Sequence, residues 1–542
     1  MANEYDSIVI GGGHNGLVAA AYLARAGHRT VVLESRSKTG GAADTSEPWP
    51  EHPGVKVNTY SYTMSLMPST IIADLHLKQF GYEVYPMGPY YQAWPDGSSL
   101  KLPQSPSYGA GSADYDAIAR FSRSDASRMG EWESWLGGLA EVLAPLMLVI
   151  PPKLGSTAPS DLLDQLKLVW RLRGVNARKV ADITRLFTMS ITDLLDDWFV
   201  SEQVKAWLSI NGIIGTWAGP DEPGTAYVMA HHSIGDVGGG EVGSWGYARG
   251  GMGAVSDACR RAAERFGADV RTQAPVQAVL VGGGRAHGAV LASGEELRAP
   301  IVVTTVHPRI AFLQHLDRRD LPADFVRDIE NWKTRSGVVK INVAISELPD
   351  FIADPGSELQ DHHTGPIEFV LSTGHAESAF QDAKAGRAAT SPVVDGCIPS
   401  TLDPTLAPEG MHVFSMFTQW VPHDWSSEPR RDELDAYADR VIDGYGELAP
   451  NFKSSIVARQ VIGPYDMEQE LGLIGGNIFH GELSGDQLFH MRPAAGYADY
   501  RTPIEGLYQA SSATHAGGGV CGIPAYNAVR QIRRDHPDSR RR

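Results

Sequence analysis

The sequence predicts an α/β protein: a parallel-sheet domain written in three separated pieces, a mixed-sheet domain and a helical subdomain. Three observations carry that prediction. The chain opens with a β-branched run, a glycine-rich turn and a small-residue helix (SIVIGGGHNGLVAAAYLARAG from Ser7). A second glycine-led α/β stretch begins at Gly250 (GGMGAV), and a strand-like GLYQA from Gly506 leads into the glycine triad Gly517, Gly518 and Gly519. The pieces are residues 1–60, 245–310 and 485–535. Residues 61–127 and 311–484 make up the mixed-sheet substrate domain, and 128–244 the helical subdomain.

In the first piece, Ser7 to Ile10 reads as a buried parallel strand and Leu17 to Ala26 as a helix ended by Gly27. Gly11, Gly13 and Gly16 between them form GxGxxG. Gly11 permits the tight turn, Gly13 lets a pyrophosphate approach the backbone, and Gly16 lets helix and strand pack closely. The helix N-terminus then points unpaired N–H groups and its dipole at the phosphates. His14 and Asn15 lie inside the same turn and are counted with the site. A second strand, Thr30 to Leu33, ends at Glu34, where a carboxylate meets ribose hydroxyls and repels an NADP 2′-phosphate. This Rossmann-like unit binds the ADP half shared by NAD and FAD.

Two segments favour the longer ligand. After Glu34 come Ser35, Arg36 and the pair Gly40 and Gly41 with Ala42, where backbone closes over the rest of a dinucleotide. Near the C-terminus Ser512, His515, Gly518, Gly519 and Val520 precede a helix expected from about Tyr526. A site drawn from both ends of the chain suits FAD. The middle piece adds Gly250, Gly251 and Met252 ahead of a helix from Ala254 to Arg265. Strands Asp269–Thr272 and Val276–Val281 follow, with Val276 as a backbone contact to adenine, and Ala286–Leu291 is expected to pair with Leu297–Thr304.

The intervening regions have two textures. In 128–240, Trp132, Trp135, Leu136, Leu139 and Leu143 recur at helical spacing, as do Ile183, Phe187, Ile191, Leu194 and Trp198. Such stripes read as packed core, or as a cover over an apolar tunnel or a face resting on lipid. Gly337 to Ile345, Ile367 to Ser372 and His412 to Gln419 read as strands of a substrate-facing sheet.

Composition sets the remaining bounds. The chain has 542 residues, and 47 basic against 64 acidic side chains give a net charge of -17, which argues against a nucleic-acid partner. Three scattered cysteines, Cys259, Cys397 and Cys521, with no CxxC, argue against a disulfide framework and for a reducing compartment. No apolar run reaches the length of a membrane span, so the expected location is cytoplasmic, with peripheral membrane contact left open. His362 and His363 lack companions at metal-ligand spacing, so no metal site is expected.

Beyond these motifs, GSWGYARGGMGAV from Gly243, IPSTLDPTLAPEGMHV from Ile398, GGNIFHGELSGDQLFHMRP from Gly475 and GLYQASSATHAGGGVCG from Gly506 give the whole chain a resemblance. It resembles the phytoene dehydrogenase-like FAD-dependent oxidoreductases, most of all those of the pyridine nucleotide-disulfide oxidoreductase domain-containing type. The resemblance implies an FAD-binding domain of Rossmann type, a sheet-based substrate domain and a variable helical region. It also implies redox chemistry on small lipophilic molecules, with hydride moving between a substrate carbon and flavin N5. The chain departs from the inherited name in having no dithiol after the first motif, and Ser511 and Ser512 stand where related folds carry an acid. Within the matching segments His480, Glu482 and Asp486 are the candidate proton-handling residues, alongside Arg492, with His231 and His232 further candidates. Amine-oxidase-like C–N oxidation and a non-catalytic lipid or prenyl escort, resembling GDP-dissociation inhibitors, remain as alternatives. Neither substrate nor oligomeric state is fixed by the sequence.

Overall fold

The computed structural model describes residues 3–235, 243–356 and 358–537. Its organising element is a five-stranded, all-parallel sheet ordered Asp269–Arg271, Thr30–Leu33, Ser7–Ile10, Ile301–Thr304, Leu507–Gln509. In chain order that is 3-2-1-4-5, the doubly wound arrangement in which ligands sit at the carboxyl ends of the strands. SIVI, TVVL and IVVT are buried at every position, as strands covered on both faces must be. Helices His14–Arg25, Met252–Arg265 and Ile523–Asp535 pack together with this sheet, burying Leu17, Val18, Ala21, Val255, Cys259, Ala528 and Ile532 in one core.

The meander beside the sheet corrects one expectation. Arg285–Leu291 pairs antiparallel with Glu296–Arg298, but the run stops there, and Ile301–Thr304 belongs to the parallel sheet. Pro300 sits at the break, where it has no N–H to give either ladder.

The second sheet has seven strands, in the order Ile456–Ile462, Val338–Ile345, His412–Gln419, Val393–Cys397, Pro366–Phe369, Tyr90–Ala93, Ser99–Leu102. All neighbours are antiparallel except Pro366–Phe369 with Tyr90–Ala93. The strand expected to reach Ser372 ends at Phe369, because the Ser372 hydroxyl caps the helix Thr373–Lys384 by accepting from the His375 N–H. Helix Arg431–Leu448 contributes Leu434, Tyr437, Val441 and Tyr445 to the core on one face of this sheet. The other face looks toward the parallel-sheet domain.

The helical region comprises Arg123–Met147, Pro159–Arg171, Ala177–Thr188, Ile191–Trp198, Glu202–Ile213 and Thr225–His232. Most of its apolar stripes are packed core: Trp132 is enclosed by Trp135, Trp198 and Phe199, and Ile191, Leu194 and Leu195 are buried beside it. Helix Pro159–Arg171 is the exception, with no buried residue and with Leu166, Val169 and Trp170 each more than 60% exposed. Among the described residues no helix is long and apolar enough to cross a membrane.

Candidate active site

One cavity of about 610 Å³ runs from the carboxyl ends of the parallel strands to the open face of the seven-stranded sheet. At one end lie Glu34, Ser35, Arg36, Pro275 and Val276. The middle is lined by Gly11, Gly13, His14, Asn15, Gly41, Ala42, Ser512, Gly519 and Val520, and the far end by Tyr62, Met87, Tyr90, Lys340, Glu368, Asp395 and Phe417.

The glycine turn is built as a phosphate cradle. Gly11 holds a left-handed φ of +98°, and a Cβ on Gly16 would lie 1.9 Å from the Gly11 carbonyl oxygen, so the helix can approach the strand only without a side chain there. A Cβ on Gly13 would meet nothing nearer than the Gly41 Cα at 3.9 Å, which leaves that side open. Gly13 is the N-cap of helix His14–Arg25 and no side chain caps the turn, so its N–H groups and dipole face the cavity. Two backbone groups fix the Glu34 carboxylate in place. One of its oxygens accepts from the Gly12 N–H at 2.7 Å, the other from the Arg36 N–H at 2.8 Å. Asn15 reaches the Ser512 hydroxyl at 3.3 Å, joining the N-terminal turn to the C-terminal loop. An uncapped helix start, an open glycine face, a carboxylate and a trough continuing beyond them fit an extended dinucleotide such as FAD. Glu34 and the uncapped turn would hold its ADP end, and the Ser512–Val520 loop lines the trough beyond them.

Other expected contacts lie elsewhere. Gly250, Gly251 and Met252 do not line the cavity, because protein side chains take their helix start: Asp403 accepts from the Gly250 N–H at 2.6 Å and Asn58 from the Met252 N–H at 2.8 Å. Gly16 and Gly40 are packed behind the lining; the Gly40 N–H donates to the Gly12 carbonyl at 2.8 Å, fixing the two glycine turns against each other. Gly518 is covered by Phe479, 2.9 Å from where its Cβ would lie, and His515 turns away to the Leu146 carbonyl at 3.0 Å, its proton affinity pushed down to about 4 by burial. The C-terminal helix starts at Ile523 rather than Tyr526, with Gly522 in a left-handed N-cap.

The proton-handling candidates separate in the same way. His480 lines the cavity beside His307, and burial, with His14 and Arg492 nearby, lowers its pKa to about 3, so it is a neutral imidazole. Glu482 is outside the cavity in a two-point pair with Arg335 at 2.8 and 2.9 Å, and Asp486 is at the surface with Lys333 at 2.7 Å. Neither lines the cavity. Arg492 is fully buried with no carboxylate partner among the described residues; it donates to the carbonyls of Phe479, Gly481, Glu482, Gln487 and Ser512. His232 lines the cavity with Nδ1 on the Val228 carbonyl, whereas His231 is enclosed behind it. The three cysteines are buried free thiols, and burial pushes Cys521 up to about 11.

Sequence reasoning missed the far end. Lys340, Asp395 and Glu368 are ionisable side chains in the middle of β-branched or apolar strands (VVKINVAI, VVDGC, PIEF), and that anomaly was their signal. Burial lowers Lys340 to about 7 and raises Asp395 to about 6, the latter held back by the Tyr62 hydroxyl and by Lys340; burial and Asp395 hold Glu368 well above the usual range. Tyr62 stacks on Phe417 and donates to Asp395 at 2.5 Å.

Comparison with known proteins agrees with this geometry. Residues 9–75 match the NAD(P)-binding Rossmann-like domain family, and residues 215–459 the flavin containing amine oxidoreductase family. The chain is 40% identical to pyridine nucleotide-disulfide oxidoreductase domain-containing protein 2 of Rattus norvegicus, over 98% of this chain and 94% of that protein. It is 24% identical to a lycopene-forming phytoene desaturase of a Paracoccus species, over 95% and 94%. Putrescine oxidase with bound putrescine has the same fold at a TM-score of 0.60 and 15% identity, covering 98% of each chain. The protein is thus an FAD-dependent oxidoreductase. It belongs, among the phytoene dehydrogenase-like flavoproteins, to the family of pyridine nucleotide-disulfide oxidoreductase domain-containing protein 2.

Proposed function

We propose that the protein catalyses hydride transfer between a carbon of a small, mainly apolar molecule and FAD, desaturating or saturating a C–C bond. The observation that carries this reading is the continuity of one cavity from the glycine cradle into an aromatic chamber walled by Tyr62, Met87, Tyr90, Trp245 and Phe417. FAD supplies the two-electron chemistry at N5. The chain's own residues bind and orient: Glu34 and the uncapped helix start hold the adenosine diphosphate end, and the aromatic walls exclude water and align an apolar body. His480, neutral at physiological pH, adds no charge to the cavity wall.

The test is anaerobic mixing of the holoprotein with isoprenoid, acyl and amine compounds while the flavin absorbance is followed. The reading expects bleaching by a compound whose reacting bond is C–C. The likeness over residues 215–459 to flavin containing amine oxidoreductases favours a second reading, C–N oxidation. Bleaching by amines alone selects it.

The substrate reading extends to where an apolar molecule is collected. Helix Pro159–Arg171 turns Leu163, Leu166, Val169 and Trp170 outward, and Arg171 and Arg173 stand at its C-terminal end in a chain of net charge -17. That combination suits the surface of an anionic bilayer.

A further inference from the structure

We propose that Glu368 and Asp395 form a subsite for a hydroxyl group carried by an otherwise apolar substrate. The inference rests on the chamber being the substrate site, and it adds what the substrate bears at its far end.

The geometry begins with register. Ile462, Lys340, Phe417, Asp395 and Glu368 are successive cross-strand partners, so they form one rung across five neighbouring strands. Partners directly opposite one another present their side chains on the same face, and here Lys340, Phe417, Asp395 and Glu368 all line the cavity. Glu368 and Asp395 are neighbours on that rung, with Cβ atoms about 5 Å apart by the usual spacing of such pairs, near enough for one oxygen atom to bridge them.

An uncompensated charge inside a fold is costly, so a buried ionisable group calls for a partner. Lys340 is satisfied within the sheet: its ammonium donates to Asn342 Oδ1 at 2.6 Å and Ser415 Oγ at 2.5 Å. Asp395 is half satisfied, with Oδ2 accepting from Tyr62 at 2.5 Å. Glu368 is not: it is 3% exposed, and its Oε2 has no hydrogen-bond partner. Among the described residues neither carboxyl group has a cation within ion-pair distance.

Protonation states decide which ligand group completes the pair. The Tyr62 hydroxyl donates to Asp395 and so favours the charge there, whereas burial and the neighbouring Asp395 favour the proton on Glu368, so that Asp395 is the acceptor of the pair and Glu368 the donor. A hydroxyl answers both, its oxygen accepting from Glu368 and its proton going to Asp395. An ammonium has no lone pair for the Glu368 proton, an ether or ketone has no proton for Asp395, and a carboxylate or phosphate meets the Asp395 charge. The apolar walls at Tyr62, Tyr90 and Phe417 then take the carbon skeleton.

The test is equilibrium binding to the holoprotein, followed by tryptophan fluorescence because Trp245 lines the cavity. The probes share one skeleton: farnesol, farnesyl methyl ether, farnesene and farnesylamine. The subsite predicts that farnesol binds about tenfold tighter than the ether or the hydrocarbon, the discrimination one charge-assisted hydrogen bond supplies. Asp395→Asn, whose amide oxygen accepts from Tyr62 and so turns its NH2 to the ligand, and Glu368→Leu should each reduce farnesol to the ether's affinity and leave farnesene unchanged, while Glu368→Gln, which keeps an N–H donor, retains the preference. Should Glu368→Leu fail to fold, Asp395→Asn carries the comparison. Equal binding of farnesol and its ether to the wild type, or tightest binding of farnesylamine, overturns the proposal. Flavin bleaching on the same samples reads the reaction separately. Bleaching without hydroxyl preference removes the subsite and keeps the reaction; hydroxyl preference without bleaching by any C–C substrate does the reverse.

Discussion

The guanidinium of Arg492 donates to the carbonyl of Ser512 at 2.9 Å, and through its other contacts ties the 479–487 segment to the C-terminal loop that walls the middle of the cavity. Burial lowers its pKa to about 10, which still leaves it charged. Five carbonyl groups depend on one side chain.

Arg492→Met should therefore leave those carbonyls unsatisfied in the interior. The expected loss is about 2–4 kcal/mol of stability, together with lower flavin retention, because Ser512 and His480 share the cavity wall it braces. Arg492→Lys should fall between the two. Thermal denaturation and the ratio of flavin to protein absorbance measure both effects.

Gly16→Ala places a methyl group 1.9 Å from the Gly11 carbonyl. The helix must move off the strand, at a cost of about 1–3 kcal/mol. Flavin binding should suffer more than stability, since the displaced turn is the phosphate cradle. Reconstitution of the apoprotein with FAD, followed by absorbance, checks this.

Glu34→Ala removes the acceptor of the Gly12 and Arg36 N–H groups and the carboxylate expected at the ribose. FAD affinity should fall at least about tenfold, the worth of one or two charge-assisted hydrogen bonds. Glu34→Gln should fall less. Titration of apoprotein with FAD gives the dissociation constants.

Lys340 gives a pH signature. Its pKa is depressed from 10.5 to about 7 by burial, so the unfolded chain binds more protons than the folded one between those values. Stability from this group is present above about 10.5 and is lost as pH falls toward and through 7. Asp395, raised to about 6, works oppositely: its contribution is present below 3.8 and lost as pH rises through 6. Urea unfolding of wild type and Lys340→Met across pH 7 to 10 should show the wild type gaining stability relative to the variant as pH rises. A constant difference contradicts the burial of this lysine.

Leu166→Asp with Trp170→Asp should abolish co-sedimentation with anionic vesicles and leave flavin content unchanged, because neither residue lines the cavity. Wild type that stays in the supernatant at low salt contradicts the membrane reading.

The glycine cradle and Glu34 were legible in the sequence because sterics permit few residues at those points and the spacing is local. The GGMG turn shows the limit: its start is capped by Asn58 and Asp403, far away in the chain, so the local pattern mimicked a ligand site. Glu482 behaves in the same way, since Arg335, distant in sequence, occupies its carboxylate. The chamber was not legible, because Tyr62, Lys340, Glu368, Asp395 and Phe417 come from separate strands and loops and meet only through sheet register. A lone charge within each apolar strand was the trace it left.

Whether cradle and chamber serve one ligand and one substrate is decided by a crystal structure of the holoprotein with FAD bound. The adenosine ribose should lie against Glu34, the pyrophosphate at Gly11–Gly13, and the isoalloxazine ring should open onto the chamber of Tyr62, Phe417 and Asp395. A flavin ring facing solvent, or walled off from that chamber by side chains, would contradict the shared cavity.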